Sequence, residues 1–260
     1  MSTDQFSVTG RTAIVTGASS GIGESIAERF AADGANVTIC SREQENVDPV
    51  AEEIRESDRP GEALAVECDV TERDAVESLV ETTVEQFGSI DVLVNNAGAS
   101  FMAPFEDLSE NGWKTIVDIN LHGTFHATQI AGEYMREDYG GSIINIASVA
   151  GQLGSPYMSH YAAAKAGVIN LTSTLANEWA EENVRVNCIA PGFVATPGVE
   201  SQMGVSASNI DREEVDRRIG RADEIADVAQ FLASDASSYL VGETITAQGV
   251  PRNLEEPPSE

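Results

Sequence analysis

Short apolar runs alternate along the chain with longer stretches in which apolar residues recur at helical spacing. Continuous runs of β-branched and other apolar residues are typical of parallel strands that are buried on both faces. The pattern predicts seven such strands, at residues 12–17, 36–41, 63–70, 91–98, 142–148, 184–192 and 243–249.

The stretches between these runs carry the amphipathic spacing of helices. We expect Thr71 to be the N-cap of the third helix, because its hydroxyl can accept from a free backbone N–H. Residues 193–220 show no clear period and are expected to be irregular. The predicted helices cover residues 23–34, the segment up to about Asp58, 71–88, roughly 109–137, roughly 157–181, and 223–234.

Strand–helix alternation at this period indicates βαβ units, and therefore a parallel sheet covered by helices on both faces. The sequence contains no linker or internal repeat, so residues 1–260 are interpreted as a single domain. Residues 251–260, PRNLEEPPSE, are expected to form a polar C-terminal tail. The fold class is therefore α/β.

The charge balance is strongly acidic, with 15 Lys plus Arg against 43 Asp plus Glu and a net charge of −28. Such a charge repels nucleic acid and anionic membranes, so neither is expected as a partner. It also destabilises a compact chain unless salt screens it. Together with the presence of only two lysines, Lys114 and Lys165, it suggests a cytoplasm of very high ionic strength.

The cysteines are Cys40, Cys68 and Cys188, too far apart in the sequence to form a CxxC metal motif. We expect three buried thiols in a reducing cytoplasm and no bound metal. The first residues lack the basic and apolar regions of a signal peptide, and no apolar run reaches 18 residues, so no membrane span is expected.

TGASSGIG, residues 16–23, joins the first predicted strand to the first helix. Glycines let the backbone turn tightly and approach a pyrophosphate, which the free N–H groups of the next helix can bind. A tight structural turn is the alternative interpretation, but the position after the first strand favours a dinucleotide site. The candidate binding residues are Gly17, Ser19, Ser20, Gly21, Ile22 and Gly23.

The end of the second strand indicates which dinucleotide is bound. NAD sites place a carboxylate there to bind the ribose hydroxyls, whereas this chain has Ser41 and Arg42. These side chains suit a 2′-phosphate, so NADP(H) is predicted in preference to NAD(H). The alternative is that Arg42 only pairs with Glu43 or Glu45.

A dinucleotide implies hydride transfer, which needs an acid or base for the hydroxyl proton. Tyr161 and Lys165 lie four residues apart on a predicted helix, so their side chains share one face. An adjacent ammonium lowers the pKa of a phenol, which makes Tyr161 a candidate acid or base. Ser148 ends the fifth predicted strand and can donate to the same substrate oxygen.

These residues occur in the order TGASSGIG, NNAG at 95–98, Asn120, Ser148, YAAAK at 161–165 and PGFVAT at 191–196. With this set the chain resembles the short-chain dehydrogenase/reductases over essentially its full length. The resemblance implies a seven-stranded, doubly wound sheet of the Rossmann type and a homotetramer packed through the long helices. It also implies a catalytic tetrad of Asn120, Ser148, Tyr161 and Lys165.

In that scheme Tyr161 exchanges the proton, Ser148 polarises the carbonyl, Lys165 also binds the nicotinamide ribose, and Asn120 holds a relay water. The resemblance further implies cofactor contacts from residues near four strand ends. Two of the polar residues have structural alternatives: Asn96 as a residue that pins the sheet, and Asn120 as one that kinks a helix. The implied contacts are Asp69, Val70, Asn96, Ala97, Gly98, Pro191, Gly192, Val194 and Thr196.

Residues 193–220 are expected to form a substrate lid that holds Met203, Val205 and Ile210. Four arginines follow, and they either receive a carrier or coenzyme A phosphate or pair with neighbouring acids at helical spacing; the pairing is favoured. The arginines are Arg212, Arg217, Arg218 and Arg221, and the acids are Asp211, Glu213, Glu214 and Asp216.

The segment LSENGWKTIVDINLHGTFH, residues 108–126, resembles the branch with oxoacyl and dienoyl thioester reductases, which often lacks the tyrosine retained here. The predicted activity is interconversion of a ketone and a secondary alcohol, with a 3-oxoacyl thioester as the favoured substrate. Alternatives are a sugar or polyol dehydrogenase, an enoyl or dienoyl thioester reductase, or an NADP(H) sensor without turnover. Tyr157 and His160 either shape the pocket or serve in helix packing.

Overall fold

The computed structural model describes residues 4–57, 59–204, 206–215 and 218–250. All seven predicted strands are confirmed, and both ends of each strand lie within three residues of the predicted bounds. They are β1 (Thr12–Thr16), β2 (Asn36–Ser41), β3 (Ala63–Glu67), β4 (Val92–Asn95), β5 (Gly141–Ile146), β6 (Val184–Pro191) and β7 (Thr244–Ala247).

The seven strands form one parallel sheet in the order β3-β2-β1-β4-β5-β6-β7. The order reverses between β1 and β4, where Ile14 pairs with Leu93. In an open α/β sheet, ligands bind at such a reversal, at the carboxyl ends of the strands. The single-domain, doubly wound α/β fold expected from the sequence is therefore present.

Helices connect the strands, and two additional short strands, Val194–Ala195 and Gly220–Arg221, pair with each other after β6. Single 3₁₀ turns lie at Phe105–Asp107, Ala180–Glu182, Ala207–Asn209 and Asp235–Ser237. The helices are α1 (Gly21–Ala32), α2 (Gln44–Glu56), α3 (Arg73–Phe87), α4 (Glu110–Val117), α5 (Gly123–Glu137), α6 (Val149–Leu153), α7 (Ser159–Glu178), α8 (Pro197–Met203) and α9 (Ala222–Ala233).

Alternate residues of the strands bury into two separate hydrophobic layers, because successive side chains of a strand point to opposite faces. On one face Ala13 and Val15 pack in a layer with residues of α1, α2 and α9. On the other face Ile14 and Leu93 pack with residues of α3, α5 and α7. Burial on both faces explains why the strands are continuous apolar runs in the sequence.

Three details differ from the sequence prediction. Thr71 is not the N-cap of α3: the helix begins at Arg73, and both the amide and the hydroxyl of Thr71 donate to Asp69. The long helix predicted over 109–137 is interrupted by a π turn at Asp118–His122, which separates α4 from α5. The segment predicted to be irregular contains α8 and the two short strands.

Some expectations lie outside the described residues. These are Asp58, where α2 was expected to end, Val205, Asp216, Arg217, the side chain of Met203 and the C-terminal tail at 251–260. In the part of the chain that the structure describes, no helix has the length and apolarity needed to cross a membrane.

Candidate active site

The glycine loop after β1 is shaped by close contacts that leave no space for side chains. Gly17 has φ +64°, and a Cβ on it would lie 2.7 Å from the Cα of Ala97. A Cβ on Gly23 would lie 2.4 Å from Nδ2 of Asn96. The loop therefore exposes backbone at the start of α1, where free N–H groups favour a bound anion.

Asn96 connects β4 to this loop. Its Nδ2 donates to the carbonyls of Thr16 (3.0 Å) and Gly17 (2.8 Å), and its own amide donates to the Thr16 hydroxyl (3.1 Å). The side-chain amide is thus occupied by the backbone of the loop. This favours the sheet-pinning interpretation of Asn96, which supports the cofactor loop rather than reaching out from it.

At the end of β2, the Ser41 hydroxyl donates to the carbonyl of Glu43 (2.8 Å), and Arg42 is exposed. Within the described ranges of the chain, no carboxylate lies within 4.0 Å of the Arg42 guanidinium. The alternative in which Arg42 only pairs with Glu43 or Glu45 is therefore wrong for this structure. Arg42 is available to a ligand.

Beyond β3, Asp69 and Val70 follow the strand toward the same edge of the sheet. The Asp69 carboxylate accepts from Thr71, which orders the turn. Val70 is buried, and Gly123 at the start of α5 packs so closely that a Cβ there would lie 2.6 Å from its Cγ2. The two residues are therefore held in place by the turn after β3 and by the beginning of α5.

Ser148 lies just after β5 and is the N-cap of α6, with its Oγ accepting from the amide of Ala150 (3.1 Å). Its hydroxyl also lies close enough to the phenol of Tyr161, near the beginning of α7, to lower the pKa of that phenol. The structure therefore brings together the hydroxyls of Ser148 and Tyr161, 13 positions apart in the sequence, at the carboxyl edge of the sheet.

Lys165 is buried one helical turn beyond Tyr161. Its Nζ donates to the carbonyl of Ile146 (2.7 Å) and lies 5.7 Å from the centroid of the Tyr161 ring. Burial disfavours the charged ammonium and lowers the pKa of Lys165 to about 8. The ammonium is thus positioned by the end of β5.

The pKa of Tyr161 differs from the prediction. Burial of the phenol raises its pKa, and the nearby Ser148 hydroxyl opposes this with a smaller effect. Lys165 does not contribute to the shift in the chain by itself, since its proton is directed at the Ile146 carbonyl. The predicted lowering of the tyrosine pKa by the adjacent ammonium is therefore wrong for this state of the molecule.

Asn120 is fully buried in the π turn between α4 and α5. Its Nδ2 donates to the carbonyls of Ala99 (2.8 Å) and Ile116 (2.9 Å), and its Oδ1 accepts from no group in the described part of the chain. A Cβ on Gly98 would lie 2.8 Å from that oxygen and 3.5 Å from Nζ of Lys165. The glycine therefore keeps a space beside both groups.

The end of β6 forms another wall of the site. Pro191 pairs with Ala247 of β7, and Val194 pairs with Gly220 in the short second sheet. Gly21 of the glycine loop is close enough to Thr196 that a Cβ on it would lie 3.0 Å from Cγ2 of Thr196. The first part of the expected lid therefore contacts the glycine loop directly.

Two of the arginines expected in the lid, Arg212 and Arg218, pair with different carboxylates from those predicted. Arg212 pairs with Asp223 (3.2 Å) and Asp227, and Arg218 pairs with Glu224 (2.6 Å). These carboxylates belong to α9 and not to the lid itself. The pairing interpretation is confirmed for Arg212 and Arg218, whereas the predicted helical spacing is wrong.

Sequence reasoning did not identify the apolar side chains that are exposed around this edge, among them Met102, Leu153 and Phe193. Their signal was weak, because an apolar residue in a loop looks the same whether it is buried or exposed. It also left open the role of His160, which is fully buried against Phe101.

The fold, the glycine loop and the Ser148–Tyr161–Lys165 cluster together define a dinucleotide-dependent oxidoreductase. The chain belongs to the short chain dehydrogenase family, whose sequence model matches residues 11–204. It is therefore an enzyme of the oxidoreductase class that uses a nicotinamide cofactor. This confirms the family resemblance of the sequence.

Two curated relatives are similar to this chain over nearly the full length of both proteins. The 3-oxoacyl-(acyl-carrier-protein) reductase of Thermotoga maritima is 40% identical and is matched over 92% of this chain and 97% of its own. The enzyme of the same name from Synechocystis sp. is also 40% identical, over 93% and 97%. A solved short-chain type dehydrogenase/reductase from Mycobacterium marinum superposes with a TM-score of 0.87 at 34% identity, covering 95% and 97% of the two chains.

The residues of the site fit a dinucleotide. The three close-packed glycines leave backbone exposed beside α1, Arg42 has a free guanidinium, and Asn120 has a buried acceptor without a donor. In the described part of the protein, the Arg42 guanidinium and the Asn120 Oδ1 atom have no partner. Phosphates of a dinucleotide along the carboxyl edge of the sheet would be bound by the loop amides and Arg42, whereas the Asn120 oxygen needs a donor such as a water.

Proposed function

We propose that this enzyme reduces the ketone of a 3-oxoacyl thioester to the secondary alcohol with NADPH. The observation that carries the proposal is the convergence of Asn120, Ser148, Tyr161 and Lys165 beside the glycine loop. The printed names of the relatives favour a 3-oxoacyl thioester over a sugar or polyol.

In the proposed mechanism the dinucleotide supplies the hydride that adds to the carbonyl carbon. The Ser148 hydroxyl donates to the carbonyl oxygen and stabilises the charge that develops there. Tyr161 gives its proton to the same oxygen, and its raised pKa suits a group that is protonated before the reaction. The atoms balance as ketone, hydride and proton on one side and the alcohol on the other.

Lys165 and Asn120 support the proton transfer. The Lys165 ammonium, held by the Ile146 carbonyl, stabilises the phenolate that Tyr161 leaves behind and is placed to bind the nicotinamide ribose. The free Oδ1 of Asn120 suits a water that carries a proton toward Lys165, since Gly98 keeps the space between them open.

The cofactor is proposed to be NADP(H). The end of β2 has Ser41 and Arg42 in place of the carboxylate of an NAD site, which would repel a 2′-phosphate, and Arg42 is free to bind that phosphate. Asn96, predicted as a cofactor contact, is instead proposed to hold the loop from behind. Tyr161 and Lys165 contribute from α7, and the other contacts follow strand ends at the carboxyl edge. The proposed cofactor contacts are Gly17, Ser19, Ser20, Gly21, Ile22, Gly23, Ser41, Arg42, Asp69, Val70, Ala97, Gly98, Tyr161, Lys165, Pro191, Gly192, Val194 and Thr196.

Residues 193–220 are proposed to be the substrate lid, since Thr196 contacts the glycine loop and Arg212 and Arg218 pair with α9.

A cytoplasmic location is inferred from Cys40, Cys68 and Cys188, which are buried free thiols.

The homotetramer is proposed because exposed or half-buried apolar residues lie on α5 and α7 and directly after α7, among them Phe125, Leu171 and Trp179. Together with charged residues such as Arg136 and Glu178 they line a cavity of about 700 Å³ that a second helix pair would fill. Sedimentation in high salt is expected to give four times the chain mass of 27.6 kDa.

A substrate panel with NADPH in high salt tests the activity. We expect oxidation of NADPH with a 3-oxoacyl thioester of pantetheine or coenzyme A at a kcat/KM at least about tenfold above that for simple sugars and polyols. Faster oxidation of a polyol by NADP+, with no thioester reduction, would transfer the assignment to the alternative. Reduction of enoyl but not oxoacyl thioesters would contradict the proposed role of Tyr161.

A further inference from the structure

A group of exposed apolar side chains surrounds the candidate active site. We name it the apolar rim, and it consists of Phe101, Met102, Leu153, Tyr157 and Phe193. The exposed fractions of Met102, Leu153 and Phe193 are 68%, 72% and 62%. All five lie in the segments that follow β4, β5 and β6, which means they are at the same edge of the sheet as Ser148 and Tyr161.

One side of the rim is attached to the catalytic helix. The amide of Ala103 donates to the carbonyl of Tyr157 (2.8 Å), which joins the loop after β4 to the residues that precede α7. The ring of Phe101 packs edge-on against His160, with centroids 4.4 Å apart at 85°. His160 is fully buried and directly precedes Tyr161, so Phe101 is anchored to the beginning of α7, the helix that carries the reactive phenol.

The other side of the rim is attached to the end of β7. The side chains of Gln152 and Thr246 are hydrogen-bonded (3.0 Å), and the amide of Gly192 donates to the carbonyl of Ala247 (2.9 Å). Leu153 and Phe193 directly follow Gln152 and Gly192 in the chain. Ser148 begins the same short helix that Leu153 ends, so the rim continues from the candidate catalytic residues.

The composition of the rim is unusual for this molecule. The chain has a net charge of −28, yet none of the five rim residues is charged. Large exposed apolar groups gathered at one place indicate a surface that binds an apolar partner or ligand. A polyol would instead require hydrogen-bonding side chains around its hydroxyls, since a polar group that leaves water unpaired is costly.

We propose that the apolar rim binds the acyl chain of the substrate, and that the enzyme prefers 3-oxoacyl thioesters of medium or long chain over the four-carbon one. This inference rests on the proposed function and specifies its substrate. The ketone would lie at Ser148 and Tyr161, and the chain beyond it would extend over Met102, Leu153 and Phe193.

The test compares kcat/KM for 3-oxoacyl thioesters of N-acetylcysteamine with four, eight and twelve carbons. Each fully buried methylene is worth about a fourfold gain in kcat/KM, so partial contact with an open rim predicts a ratio of at least about tenfold between twelve and four carbons. Leu153→Ser and Phe193→Ser are each expected to lower this ratio about fivefold or more.

Tyr239→Ser is the matched control, because Tyr239 is 99% exposed and lies before β7, at the opposite edge of the sheet. It is expected to leave the ratio unchanged. Equal kcat/KM for the three chain lengths, or rim variants that behave like Tyr239→Ser, would overturn the inference and leave thioester reduction standing. Absence of turnover with all three thioesters would instead overturn the proposed function, and the inference with it.

Discussion

At the scale of the residue, the site depends on side chains whose environment changes their chemistry. Tyr161 is half-buried, and partial desolvation raises the pKa of its phenol, which keeps its proton to a higher pH than a free tyrosine. Lys165 is buried too, so its ammonium loses its proton at a lower pH than a free lysine. With these pKa values, Tyr161 is a neutral acid and Lys165 is a cation near neutral pH, which is the pair of protonation states that a reductase needs.

Tyr161→Phe is expected to lower kcat about 10²- to 10⁴-fold, the usual contribution of a general acid, because the carbonyl oxygen loses its proton donor. The dissociation constant for NADPH, measured by fluorescence titration, should change less than about threefold. Tyr139→Phe is the control, since Tyr139 is 92% exposed. Retention of kcat in Tyr161→Phe would refute the assignment of the acid.

Lys165 makes the stability of the cofactor-free protein depend on pH. Its pKa is 10.5 in the reference state and about 8 when folded, so the unfolded chain binds more protons between these values. The free energy of unfolding should therefore rise with pH across this window. The contribution is on the order of 3 kcal/mol.

Denaturant unfolding of the wild type and of Lys165→Met between pH 7.5 and 10.5 measures this contribution. The variant has no ammonium to deprotonate, so the difference in unfolding free energy between wild type and variant should move in favour of the wild type as the pH rises. Parallel pH profiles for the two proteins would show that Lys165 keeps an ordinary pKa in the fold.

Arg42→Ala is expected to raise the dissociation constant for NADPH about 10- to 100-fold, since a charge-assisted hydrogen bond to phosphate is lost. The constant for NADH should change less than about threefold. Arg73→Ala, which removes an exposed arginine paired with Glu77 on α3, controls for the loss of a positive charge. Equal losses for both dinucleotides would remove the basis for the NADP(H) assignment.

At the scale of the element, two connections position the site. The π turn at Asp118–His122 inserts an extra residue between α4 and α5, and Asn120 lies within it. A regular helix would point the carboxamide in a different direction, so the turn is the reason that Nδ2 reaches the Ala99 carbonyl. The kink that was an alternative to a functional role for Asn120 is thus also what places its free Oδ1.

The second connection is the attachment of the proposed lid to α9. Arg218 forms two hydrogen bonds with Glu224 (2.6 and 2.7 Å), and these lower the pKa of that carboxyl to about 2. Arg212 joins Asp223 and Asp227, and Asp227 also pairs with Arg29 of α1. The lid is therefore linked through α9 to the helix that begins at the glycine loop.

Arg212→Gln and Arg218→Gln are expected to loosen this attachment. Digestion with a non-specific protease should cut between residues 206 and 221 several-fold faster than in the wild type, since local opening becomes less costly. Arg73→Gln, which breaks an exposed pair on α3, should leave the cleavage rate unchanged. Identical rates in all four proteins would show that the ion pairs do not hold the lid.

At the scale of the whole molecule, the net charge of −28 opposes the compact state. Added salt shortens the Debye length from about 10 Å at 0.1 M to about 3 Å at 1 M, which screens this repulsion. We propose on this ground that the enzyme works in a cytoplasm of high ionic strength. The charge is spread along the chain, so no single ion pair accounts for the dependence.

The midpoint of thermal unfolding is expected to rise by about 10 °C between 0.1 M and 2 M KCl. This rise corresponds to a stabilisation of about 3 kcal/mol, since about 1 kcal/mol shifts the midpoint of a chain of this size by about 2–4 °C. KCl is preferred to a sulfate salt because sulfate also strengthens apolar burial. An equal concentration series in sucrose separates screening from excluded volume. A midpoint that is the same at both KCl concentrations would contradict the high-salt hypothesis.

The sequence by itself determined the seven strands, their alternation with helices and the candidate pair of Tyr161 and Lys165, while the complete tetrad was implied by the family resemblance. These features depend on local periodicity and on the spacing of a few residues along one helix, as with Tyr161 and Lys165. The glycine loop was also recognisable from the spacing of its glycines after the first strand, and the positive φ values of Gly17 and Gly21 are the physical reason for two of those glycines.

Only the tertiary structure decided the burial of Tyr161, the partners of the lid arginines and the exposure of the apolar rim. Arg212 and Arg218 found carboxylates on α9 instead of their neighbours in sequence, because side chains pair with whatever packing brings close. Met102, Leu153 and Phe193 come from three separate loops. Their proximity to the site follows from the parallel sheet, which gathers the carboxyl ends of its strands at one edge.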